Sequence, residues 1–75
     1  MEISLDGLRI GQQAVVTRIQ VRPALVCRLR DLGMVCGTCV SPRYRTPCGK
    51  VTALDMRGSV VALRTTDMAH IWVRC

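Results

Sequence analysis

The apolar residues of this chain change period once, and that change limits what the chain can fold into. From Ala14 to Val21 they alternate, with Val15, Thr17, Ile19 and Val21 on one side and Val16, Arg18 and Gln20 on the other. A period of two describes a half-buried strand. From Pro23 to Leu32 the period becomes helical. Leu25, Leu29 and Leu32 recur at i, i+4 and i+7, while Arg28, Arg30 and Asp31 lie mostly off that stripe. Pro23 suits a first helical turn, and Gly33 suits the left-handed position just past the last one. The stripe predicts one helix of about ten residues.

After Gly33 the period returns to two. Gly37 makes a turn, and Thr38 to Arg45 reads as a strand that Pro42 pushes towards a sheet edge or a bulge. Pro47 to Lys50 is a turn. Thr52, Leu54 and Met56 then alternate with Ala53 and Asp55, and Arg57-Gly58 closes a hairpin onto Val61 and Leu63. Thr66-Asp67-Met68-Ala69 reads as a short turn capped by Thr or Asp. Ile71 and Val73 alternate with Trp72 and Arg74 in a last strand, so Trp72 is expected to face outward. Near the start, Leu5 to Leu8 reads as a single helical turn leading to a turn at Gly11. The expectation is a mainly β chain of five short strands with one α-helix after the first main strand. There is no repeat and no linker, so residues 1–75 form a single domain. In a chain of 75 residues the gain from burial nearly cancels the cost of ordering. A small closed barrel, which leaves no sheet edge exposed, is the expected solution.

Charge narrows the function classes. The chain carries +6 overall, and residues 18–50 alone carry +6, against −1 for residues 1–17 and +1 for residues 51–75. A basic middle favours an acidic partner. The longest charge-free stretch, Leu32 to Pro42, has 11 residues, well short of the roughly 20 that a membrane helix needs. No charged-then-apolar leader is present, so the expected compartment is the cytoplasm. Five cysteines are an odd number for a disulfide framework, and reduced thiols are expected there.

Four stretches together carry a family resemblance. They are Leu5-x-x-Leu8-x-x-Gly11-Gln12; Arg28-Leu29-x-x-Leu32-Gly33-Met34 with Gly37-Thr38-x-Val40; Gly58 to Arg64, ending in Ala62-Leu63-Arg64; and Ala69-x-Ile71-x-Val73. In order and spacing this resembles the FeoA family, from about Leu5 to Val73. The resemblance implies an SH3-like barrel in its stand-alone form. It also implies a non-enzymatic accessory of bacterial ferrous iron uptake, bound to the cytosolic part of the FeoB transporter. Three positions depart from the family pattern. Gly49 is followed by Lys50-Val51 where Asp-Pro is usual, Cys36 stands for a loop proline, and Pro42 interrupts a strand. The first departure inverts a charge in a loop that can meet a partner.

Each chemical constellation has a plain alternative. Cys36-Gly37-Thr38-Cys39 has the spacing of two zinc ligands, with Cys48 as a third and Cys27, Cys75 or His70 as a fourth. That would make the chain a zinc or iron module or a sensor. Without a second such pair, the alternative is that Cys36 is a turn residue and Cys39 a small hydrophobe. His70, the only histidine, reads as a surface or hydrogen-bonded residue. No nucleophile–base pair, phosphate-cradling loop or acid pair appears, which argues against an enzyme, a small-molecule substrate and a required cofactor. A nucleic-acid reading lacks the stacking platforms it needs, since Tyr44 and Trp72 are the only aromatics. The residues assigned to a partner are Arg28, Met34, Arg43, Arg45, Lys50 and Trp72, because Arg is enriched at interfaces and an exposed Trp anchors well. The alternative is a solvated basic face. Arg64 is expected to be partly buried and paired with Asp67 or with backbone carbonyls. A sheet edge near Pro42 or a surface thiol would also allow self-association.

Overall fold

A computed structural model describes residues 1–75. In chain order, β1 (Glu2–Ser4) leads through a 3-10 turn (Leu5–Gly7) to β2 (Ala14–Ile19) and α1 (Pro23–Asp31). The chain continues through β3 (Cys39–Arg45), β4 (Val51–Met56), β5 (Ser59–Arg64), α2 (Thr65–Met68) and β6 (Ile71–Arg74). All pairings are antiparallel, in the order β1-β6-β2-β3-β4-β5.

This corrects the expectation of a closed five-stranded barrel with one helix. The sheet has six strands and is open, with β1 and β5 as its edges, and there is a second short helix. The extra strand has no apolar period to announce it. Glu2, Ile3 and Ser4 pair with Arg74, Val73 and Trp72, and the Glu2 carboxylate accepts hydrogen bonds from Thr17 and Arg18. The segment after β5 is a helical turn without a side-chain cap. Its first hydroxyl, on Thr65, donates instead to the Gly49 carbonyl.

Two irregularities shape the sheet. In β2 the register with β6 shifts between Val16 and Arg18. Ala14 and Val16 face the core before the shift, and Ile19 packs against it afterwards, so the simple alternation breaks at Thr17. In β3 the register with β4 shifts between Pro42 and Tyr44. The first half of β3 pairs with β2 at Cys39 and Val40, the second half with β4 from Ser41 to Arg45. One strand therefore serves two sheet regions, and Pro42, which has no N–H to donate, sits at the bulge between them.

The helix ends as its sequence requires. Gly33 has φ +98°, its N–H donates to the Arg30 carbonyl, and the Met34 N–H donates to the Leu29 carbonyl. This is a Schellman stop, and Met34 and Leu29 are both buried in the core cluster. Thr38 secures the loop that follows. Its buried hydroxyl donates to the Gly33 carbonyl and accepts from the Val35 N–H. The hairpin turn has φ +44° at Arg57 and +82° at Gly58, the geometry that a two-residue connection with right-handed strand twist needs. The core joins Leu5, Leu8, Leu29, Leu54, Met68 and Ile71 with their neighbours from every strand except β1.

Candidate protein-docking face

The leucine stripe of α1 is only partly used by the core. Leu29 is fully buried, Leu25 is half-buried, and Leu32 is 46% exposed. Opposite the helix lies the edge strand β5, where Val61 and Leu63 point inward and Val60 is 52% exposed. Between them runs an open groove of about 430 Å³. Leu25, Leu29, Leu32 and Val60 to Leu63 line it, with Leu25, Leu32 and Val60 giving its exposed apolar surface, and Arg22, Arg28, Arg64 and Asp67 stand around it. Arg22 and Asp67 approach to 3.7 Å, which partly neutralises that corner. Arg28 and Arg64 form neither an ion pair nor a side-chain hydrogen bond.

Arg64 also opens onto a second cavity of about 580 Å³, lined by Gly49, Lys50, Val51, Thr65 and Thr66. No acidic side chain lines it. The Thr65 N–H donates to the Lys50 carbonyl over 2.9 Å, and the Thr65 hydroxyl donates to the Gly49 carbonyl. These bonds hold the Gly49–Lys50 turn against the end of β5. Arg64 lines both cavities and so joins the leucine-lined groove to the recess beside Lys50.

The residues assigned from sequence fall in different places. Arg28 borders the groove and Lys50 the recess. Met34 is corrected to a core residue, 1% exposed, because the Schellman stop turns it inward. Arg45 is also internal in role, since its guanidinium donates to the Leu8 carbonyl and fastens the loop before β2. Arg43 pairs with Asp55 across β3 and β4 at 3.1 Å, away from the groove. Trp72 does lie opposite Ile71 and Val73, but it is half-buried, and the Arg18 guanidinium stacks over its ring at 5.1 Å. It is no open anchor. Arg64 is exposed rather than partly buried, and its expected partner Asp67 pairs with Arg22 instead.

Sequence reasoning missed Leu25 and Val60 as groove residues. Two signals pointed to them. A nine-residue helix bordered by a glycine has little length to bury three leucines. Val60 and Val61 are adjacent in a strand, so one of them must face out.

The cysteines do not assemble. Cys27, Cys36, Cys39, Cys48 and Cys75 are all free and exposed. No group of three or more His, Cys, Asp or Glu side chains is placed to share an ion, so the donor set of Cys36, Cys39 and Cys48 does not fit a tetrahedral metal. The Cys36 thiol donates to the Thr17 carbonyl, closing the loop onto β2. The Cys48 thiol is held below its ordinary pKa, chiefly by a hydrogen bond with the Thr46 hydroxyl and then by the Lys50 backbone.

A family model for the FeoA domain matches residues 3–75. A solution structure of the FeoA protein from Chlorobium tepidum is 29% identical with a TM-score of 0.93, covering 96% of this chain and 69% of that one. The FeoA-like protein from Clostridium acetobutylicum is 27% identical with a TM-score of 0.84, covering 97% and 85%. The fold also matches iron(II) transport protein A from Clostridium thermocellum, at 24% identity and a TM-score of 0.89, covering 96% and 44%. Comparison with curated proteins returned no match. No helix is long and apolar enough to cross a membrane.

Proposed function

Because the chain belongs to the FeoA domain family, we propose that it is a small cytoplasmic accessory of ferrous iron uptake that binds the cytosolic part of a FeoB-type transporter. It acts by contact and not by chemistry, with no resident metal. The observation that carries this reading is the groove between α1 and β5, where half-buried and exposed leucines are left unpartnered beside unpaired arginines. Apolar side chains in a trough supply burial on association, and the rim arginines steer and orient an acidic partner. Such a contact alters transport by favouring one state of the transporter. That requires tighter binding to one state than to the other, and about 1.4 kcal/mol of difference shifts the balance tenfold.

The test is calorimetric titration of a FeoB-type cytosolic domain into this protein and into Leu32→Asp. Leu32 is exposed at the helix end, so the variant keeps the core and places a charge in the trough. Binding by the parent chain and its loss in the variant is the expected result. No binding by the parent chain, or equal binding by both, would refute the proposal.

A further inference from the structure

The edge strand beside the groove has its own bonding capacity. The Thr65 N–H bonds to the Lys50 carbonyl, which sets the phase of the β4–β5 ladder. In an antiparallel pair, bonded and non-bonded residue pairs alternate. The register then makes Thr52–Leu63, Leu54–Val61 and Met56–Ser59 the bonded pairs, as a two-residue hairpin turn after Met56 also requires. Val60 and Ala62 therefore turn both N–H and C=O away from β4, and Arg64 turns its N–H the same way. Nothing in the sheet covers them, because β5 is the last strand.

Natural edge strands are commonly blunted by shortness, Pro, Lys or inward charges. The other edge, β1, is only three residues long. β5 has six residues and no Pro or Lys, and its outward positions are Val60, Ala62 and Arg64. An unblunted edge beside a groove with exposed leucine and arginine side chains is a place to add a strand. The trough side offers Leu25 and Leu32 to alternate side chains of that strand. Arg28 and Arg64 carry unpaired positive charge along it, and the Lys50–Arg64 recess at its end has no acid of its own.

We propose that β5 takes an extended acidic-apolar peptide segment of a partner protein as a seventh strand, with apolar residues in the α1–β5 trough and carboxylates at Arg28, Arg64 and Lys50. This deepens the docking reading above and rests on it for the partner. Main-chain bonds to Val60, Ala62 and Arg64 supply affinity, while the trough and the cations choose the sequence.

Two probes separate the claims: the FeoB-type cytosolic domain, and a synthetic peptide of alternating Glu and Leu. Each is added to the isotope-labelled protein while amide hydrogen exchange is followed. The expected result is slowed exchange at Val60, Ala62 and Arg64, with cross-strand proton contacts from the probe to β5. Ala62→Pro removes an edge N–H without touching the β4 ladder, and it should weaken binding by about tenfold or more at unchanged melting temperature. If that variant is destabilised, the exchange data on the parent chain still decide. Binding of the domain without protection of these amides refutes strand addition and leaves the docking reading standing. Protection by the peptide without any binding of the domain refutes the transporter as partner and leaves strand addition standing. Protection that appears with protein concentration alone marks β5 as a contact between copies of this chain and overturns the proposal, as does protection by neither probe.

Discussion

The three leucines of α1 should separate into one that holds the fold and one that holds a partner, and two substitutions measure the separation. Leu29 is fully buried, so Leu29→Ala removes three carbons and leaves a cavity, at a cost of about 2–5 kcal/mol. Leu32 is 46% exposed. Full burial of a leucine is worth about 1.5–3 kcal/mol, so the half that Leu32 buries accounts for roughly 0.8–1.5 kcal/mol. Urea unfolding followed by circular dichroism reads both, with the m-value as a check that the unfolded state is unchanged. Leu29→Ala should lower the midpoint severely, because a domain of this size has little stability to lose. Leu32→Ala should lower it by no more than about half as much. In titrations with the FeoB-type cytosolic domain the order reverses. Leu32→Ala should cost about 1–2 kcal/mol of binding, in the range of an interface anchor. Equal loss of stability in the two variants would place Leu32 in the core and remove the main support for the groove as a docking site.

Other expectations concern single polar groups. The Thr52 hydroxyl is buried without a hydrogen-bond partner, so Thr52→Val should raise stability by about 1 kcal/mol, seen as a melting point some degrees higher. Thr38→Val leaves the Gly33 carbonyl and Val35 N–H without their partner and should cost about 2–3 kcal/mol in the same melt. Gly33→Ala forces a Cβ into φ +98° and should cost about 1–2 kcal/mol, with open space around it removing any steric explanation. Cys48 should reach half-maximal alkylation below the ordinary thiol pKa, and Thr46→Ala should move that midpoint upward, read by mass spectrometry against pH. Protein purified under reducing, chelator-free conditions should carry no stoichiometric zinc or iron and show five titratable thiols. One ion per chain, lost in Cys36→Ser with Cys39→Ser, would restore the metal-binding reading.

Local chemistry by itself determined much of this molecule. The Pro23 start and Gly33 stop of α1, the Arg57-Gly58 hairpin and the bulge at Pro42 depend on the φ angles and N–H groups that those residue types possess, so they were legible along the chain. The core faces of β4, β5 and β6 were legible too, because alternation reports a strand with one face inward. Tertiary structure decided the rest. Which strand lies at an edge is set by pairing between distant segments, so neither β1 nor the open side of β5 had a local signature. Whether a leucine at helical spacing reaches the core depends on where the fold sets it over the sheet, and Leu29 inside α1 is buried while Leu32, the C-cap just past its end, is exposed. An arginine's role likewise depends on what the fold brings within reach. Arg45 finds a backbone carbonyl, Arg43 a carboxylate and Arg18 an indole ring, while Arg28 and Arg64 find neither an ion pair nor a side-chain hydrogen bond.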